Sequence, residues 1–170
     1  MREAAARRLA GVAARGVAHA VLLALLAVAS GQPAGPAEWL PSIEGWSLQV
    51  ELAVPSLTEW PGDAALRKSL TDAGVLAFVQ ATYRDPQGHP FRVALYRHSS
   101  TEEALQAVLT ASRLLAGPVR GRIGDISFLD GRRVLVKEGV YSIQVTALMS
   151  ADALYALATR LALALAGAER

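Results

Sequence analysis

Two β-forming runs joined by a short turn constrain this chain more than any other feature. Residues 75–84 (VLAFVQATYR) and 91–98 (FRVALYRH) are rich in β-branched and aromatic residues, and DPQGHP lies between them. Proline and glycine in that connection mark a turn, longer than the minimal two-residue hairpin loop. A link this short joins antiparallel neighbours, because a parallel crossover needs a dozen or more residues. The chain therefore has to be built on an antiparallel sheet.

The other segments supply its partners. Residues 46–54 (WSLQVELAV) read as a first strand, ended by Pro55. Asp63 or Gly62 caps a short helix that runs to Ala73, with Leu66 and Leu70 on one face and Gly74 at its C-terminal stop. Residues 99–116 form the clearest helix. Ser100 and Glu103 have capping-box spacing, Leu105, Val108, Leu109, Leu115 and Ala116 share a face, and Gly117-Pro118 stops it. Strands follow at 125–129, 133–137 and 140–148, separated by the turn signals Asp130-Gly131 and Glu138-Gly139. In the last of these Tyr141, Ile143, Val145 and Ala147 alternate with Ser142, Gln144 and Thr146, giving one buried and one wetter face. Ser150 then caps a final helix with Leu154, Leu157, Ala158, Leu161 and Leu165 as its apolar stripe and Gly167 past its end.

The order is β-α-β-β-α-β-β-β-α. Each helix has a single apolar stripe, so the helices pack on the sheet. The expectation is one α+β domain over residues 42–168, a mostly antiparallel sheet with helices on it.

Ahead of it the chain reads as a targeting segment. Arg2, Arg7, Arg8 and Arg15 make a basic stretch, residues 17–29 are apolar apart from His19, and Ala27-Val28-Ala29 has the small-x-small form that a signal peptidase accepts. Residues 1–29 are thus read as a signal peptide, and residues 30–41, with three prolines and two glycines among them, as a linker. The protein is expected to be exported, periplasmic or extracellular. Membrane contact is expected only through the signal segment, if that is kept uncleaved. Removing Arg2, Arg7, Arg8, Arg15 and Glu3 takes the 17 basic and 15 acidic residues to 13 and 14. The mature net charge is then −1, and binding to nucleic acid on grounds of overall basicity loses its support.

Composition narrows the chemistry. Cysteine is absent, which removes disulfides, thiolate catalysis and Cys-ligated metals. At 52% apolar and 6% aromatic residues, aliphatic side chains and alanine must fill the core.

Residues 40–46 (LPSIEGW) resemble the Leu-Pro…Gly-Trp opening of an exported bacterial domain family of unknown function. That family continues with a Tyr-Ile-Asn-Gly-Ala-Ala-like segment, whose place is taken here by residues 59–65 (EWPGDAA), with Gly62-Asp63 where the family has Asn-Gly. The segments YRDPQGHPFRVALYRHSSTEEAL and GRRVLVKEGVYSIQVTAL are similar to its hairpin-to-helix and final-strand regions. The resemblance spans about residues 40–165. It implies the same α+β fold and an exported location, and no reaction.

Few residues nominate themselves for chemistry. His89 falls in a turn and His98 at a strand end, and two isolated imidazoles do not make the three or four converging ligands of a metal site. Glu103 has a sufficient explanation as a helix cap. Replacing His89, His98 or Glu103 by alanine is expected to leave folding nearly intact. Neither a catalytic residue, a metal site nor a cofactor is expected. The residues read as candidates for partner contact are Trp39 and Trp60, as large aromatic anchors, and Arg120, Arg122, Arg132 and Arg133, as a basic edge. The expected function is that of a non-catalytic exported domain binding a partner protein, envelope component or small ligand. Two other readings stay open: an enzyme or enzyme subunit with dispersed catalytic residues, and a structural envelope domain tethered to the membrane.

Overall fold

The hairpin is the centre of the sheet. In the computed structural model, which describes residues 35–147 and 151–168, β2 (Val75–Arg84) and β3 (Pro90–His98) pair antiparallel from Val75↔His98 to Arg84↔Pro90. β1 (Ser47–Val54) lies outside β2. On the other side of β3 comes β7 (Tyr141–Ala147), followed by β6 (Arg133–Glu138), β5 (Ile126–Leu129) and β4 (Val119–Gly121). The sheet order is β1-β2-β3-β7-β6-β5-β4, and every neighbour is antiparallel. The fold is α+β, with helices α1 (Ala64–Asp72), α2 (Thr101–Ser112) and α3 (Ala151–Ala168).

Period-two alternation gives the two faces different partners. One face carries Val79, Ala81 and Tyr83, then Val93 and Leu95, then Ile143 and Val145, then Val134 and Val136, all buried. α3 covers the β6–β7 part of it with Leu154, Leu157, Ala158, Leu161 and Leu165, each at most 1% exposed. The whole predicted stripe is in the core.

Residues 35–41, expected as linker, contribute to this face as well. Pro36–Trp39 is a turn of 3-10 helix in contact with β1 and β2, Leu40 is buried, and the Tyr83 hydroxyl donates to the Pro41 carbonyl at 2.9 Å. The prolines that suggested a free tether are compatible with a tight turn, and the apolar residues among them dock it.

The opposite face holds two smaller clusters. Phe78 and Val75 pack with Val54, Leu57 and Trp60 beside α1. Val108 and Leu115 pack with Leu135, Ile126 and Phe128 under α2. Caps set where these helices start. The Asp63 carboxylate accepts the Leu66 N–H at 2.7 Å, and the Ser100 hydroxyl accepts the Glu103 N–H at 3.2 Å. α1 leads into Gly74 at φ +69°, a conformation that glycine adopts without strain.

The expected element order gains the 3-10 turn and one strand, and several boundaries shift. β4 was not foreseen: three residues after Gly117-Pro118 are too few to show alternation. α2 stops at Ser112, not Ala116, because tight turns (Leu114 N–H to Ala111, Leu115 N–H to Ser112) follow it. They bury Leu115 and leave Leu114 67% exposed. α3 runs through Gly167 instead of ending before it. The signal reading of residues 1–29 and the cap expected at Ser150 lie outside the described residues.

Candidate functional site: a cleft between two helices

α1 and α2 lie over the same sheet face with a gap between them. The α2 wall of the gap is made of Ala107 and Ala111, one turn apart, and the α1 side of Leu70 and Ala73. Small side chains on one wall leave room that larger ones would fill. The result is an open cleft of about 140 Å³, floored by Tyr96 and Gln144. A cavity of about 150 Å³ lined by apolar side chains admits a benzene ring, so this cleft is the size of one ring or one branched alkyl group.

At its base lies a polar pair that sequence spacing did not reveal. His98, 2% exposed, ends β3, and Ser142, 8% exposed, follows the first residue of β7. The imidazole Nδ1 is 3.1 Å from the Ala73 carbonyl, and Nε2 is 2.8 Å from the Ser142 Oγ. A carbonyl only accepts, so Nδ1 carries the proton. In the neutral ring Nε2 then accepts from the serine hydroxyl. Burial pushes the His98 pKa down, against the opposing pull of the Ala73 carbonyl and the Glu103 carboxylate, and this favours that neutral form.

His98 at the end of β3 has a structural place: it ties the exit of α1 to the central strands. Its removal is therefore expected to cost stability, where the sequence reading expected little effect.

The serine–imidazole contact has the reach of a nucleophile and its base. A site for acyl transfer also needs donors aimed at the developing oxyanion. Ser142 sits in a strand paired on both sides, with Tyr96 of β3 and Lys137 of β6. Backbone N–H groups of such a strand lie in the plane of the sheet and do not point up into the cleft. The pair forms part of the polar floor of the cleft, with Gln144 beside it. No buried side-chain polar atom among the described residues lacks a partner.

The residues singled out from sequence go to several places. Trp39 is half-buried and meets Tyr141 edge-on, with ring centroids 5.5 Å apart. Trp60 is half-buried and meets Phe78 edge-on at 5.4 Å. Both spend much of their area inside the domain. Arg133 is held by Asp130 at 2.9 Å and donates to the Leu114 carbonyl, which fastens the exit of α2 to the β5–β6 turn. Burial would raise the Asp130 pKa, but hydrogen bonds from the Arg132 N–H, the Arg133 side chain and the Ala116 N–H outweigh it and hold the carboxyl below the usual range. Arg120, Arg122 and Arg132 are exposed. Arg120 pairs across from Phe128, Arg122 follows the far end of β4, and Arg132 lies in the β5–β6 turn. His89 is in its turn, with Nδ1 2.9 Å from Asp85. Glu103 is at the start of α2, where Ser99 donates to it.

Among the described residues no three His, Cys, Asp or Glu side chains converge as metal ligands, and no helix is long and apolar enough to cross a membrane. Comparison with protein-family models, with curated proteins and with solved structures finds no match for this chain.

Proposed function

We propose that this chain is an exported, non-catalytic binding domain, and that its ligand inserts an apolar group about the size of one ring into the cleft between α1 and α2. The observation that carries the reading is the cleft itself. It is concave, walled by Leu70, Ala107 and Ala111, open to solvent and floored by the half-buried polar residue Gln144. Mostly apolar walls with a few placed polar groups are the usual make-up of a ligand site. The targeting layout of residues 1–29 and the resemblance of residues 40–165 to an exported family support the location.

Calorimetric titration of the purified protein with benzyl alcohol and isobutanol tests the site. Saturable binding that Ala111→Phe removes supports it. Absence of binding by the wild type, or equal binding by Ala111→Phe, rejects it. Sequencing the N-terminus of the protein recovered from its cells tests export: a start at Ser30 is expected, and a cytoplasmic product beginning at Met1 rejects it.

The enzyme reading rests on the 2.8 Å contact between His98 and Ser142. A fluorophosphonate probe that labelled Ser142 covalently would favour it over the binding domain.

A further inference from the structure

The floor of the cleft continues onto an open stretch of the same sheet face. Alternation puts Arg92, Ala94 and Tyr96 of β3 on this face, together with Gln144 and Thr146 of β7. The pairs Ala94↔Gln144 and Arg92↔Thr146 set Arg92 one row beyond the cleft floor, about 7 Å along the strands. Ala94, Gln144 and Thr146 are half-buried and Arg92 is exposed, so the way from the cleft to the guanidinium is open to solvent. The Gln144 Nε2 donates to the Thr146 Oγ1 at 3.5 Å, which turns this amide toward the same row. The two ends of the path differ in charge. Where α1 ends, the Glu103 carboxylate lies against Gly74. At the other end the Arg92 guanidinium has neither an ion pair nor a hydrogen bond with a described residue. Of the other cations on this face, Arg133 is held by Asp130 and Lys137 by Asp125. Arg84, diagonal to Arg92 on β2, donates to the Gly88 carbonyl. The acid of this region, Glu51, accepts from the Thr82 hydroxyl. Arg84 and Arg92 set against Glu51 leave one positive charge.

We propose that the ligand of the cleft is an amphipathic carboxylate. Its ring or branched alkyl group sits between Leu70, Ala107 and Ala111, and its carboxylate lies over the Thr146 row, where the Arg92 guanidinium donates to both oxygens. This inference rests on the reading of the cleft as a ligand site and adds the chemistry of the ligand's head. A guanidinium is a planar fork of N–H donors that matches the two oxygens of a carboxylate. The Thr146 hydroxyl is a further donor within the same row. One unpaired guanidinium balances one negative charge, which favours a carboxylate over a dianionic phosphate. Glu103 repels a carboxylate from the end of the cleft beside α1, so the ligand has a single orientation. A cationic head would meet Arg92 at one end and gain nothing there, and a neutral one would leave the guanidinium unused.

Calorimetric titration with three probes that share one ring and one alkyl link, phenylbutyrate, phenylbutanol and phenylbutylamine, tests it. The wild type should bind phenylbutyrate about fivefold more tightly than phenylbutanol, the scale of a solvent-exposed ion pair, and phenylbutylamine no more tightly than the alcohol. Arg92→Gln should remove the preference for the acid and leave binding of the alcohol unchanged. Arg92→Lys, which keeps the charge and loses the fork, should retain part of the preference. Arg97→Gln removes the same charge from the same strand on the opposite face of the sheet and should leave the preference intact. Ala111→Phe should abolish binding of all three. Equal affinities for acid and alcohol, a preference for the amine, or a preference for the acid that survives Arg92→Gln overturns the carboxylate inference and leaves the cleft standing. A wild type that binds none of the probes overturns both.

Discussion

Replacing His98 by alanine should destabilise the domain strongly, although His98 lies at the end of a strand. The imidazole makes two hydrogen bonds, to the Ala73 carbonyl and to the Ser142 hydroxyl, and is 2% exposed. Alanine leaves both partners unmatched. The Ser142 hydroxyl is buried, and losing its partner costs roughly 1–3 kcal/mol. Ala73 is exposed, so water satisfies its carbonyl. Cutting back the buried ring also leaves a cavity, and the expected cost is about 2–4 kcal/mol, a sizeable part of the 5–15 kcal/mol typical of a domain. Ser142→Ala leaves only Nε2 unmatched and should cost less. His98→Gln offers an amide N–H toward Ala73 and a carbonyl toward Ser142, the same donor and acceptor order as the neutral ring, and should recover much of the loss. The assay is guanidinium unfolding of the three variants, compared at an unchanged dependence on denaturant. A pH series adds an independent check. The native pKa of His98 is held below its ordinary value of ~6.5, so the unfolded chain takes up this proton first. Stability is complete above about pH 6.5 and falls as the pH drops below it. His98→Gln should lack that window. A cost below about 0.5 kcal/mol for His98→Ala, or equal costs for alanine and glutamine, would refute the reasoning.

Leu157→Ala should cost about 2–5 kcal/mol, since Leu157 is 1% exposed between α3 and the sheet; an unchanged thermal transition would show that the helix is not packed as described. Tyr83→Phe should cost about 0.5–1.5 kcal/mol by releasing the Pro41 carbonyl, and hydrogen exchange should rise selectively in residues 36–43. Asp130→Asn should loosen both the β5–β6 turn and the exit of α2, and the wild type should lose the Asp130 contribution as the pH falls below the ordinary carboxylate range of ~4. A variant whose acid unfolding curve matches the wild type would contradict that role.

The parts of the fold legible in the sequence are those in which local pattern and tertiary burial agree. The β2–β3 hairpin, the cap at Ser100 and the leucine stripe of α3 each carry a period that only one packing satisfies. Residues 36–41 were misread because their prolines signal a turn without saying what lies beneath it. β4 was missed because three residues, Val119–Gly121, are too few to establish an alternation. The cleft was invisible for a different reason. His98 and Ser142 are 44 positions apart, and they meet only because β7 returns to lie beside β3, a choice of sheet order that hairpin lengths do not dictate. Alternation in β7 did place Ser142 on the face away from Ile143. What was missing was the identity of the strand beside it. Likewise, the alanines at 107 and 111 read as ordinary helix formers until α1 is seen across the gap.

The central claim is that the space between α1 and α2 is a ligand site. Nuclear magnetic resonance shift mapping with benzyl alcohol added to the labelled protein tests it most directly. The account predicts saturable shifts confined to Ala73, Ala107, Ala111, Ser142 and Gln144, lost in Ala111→Phe. Shifts that gather instead around Leu163 on the far side of the sheet or along Leu48 and Val50, or that follow no saturable curve, would contradict it.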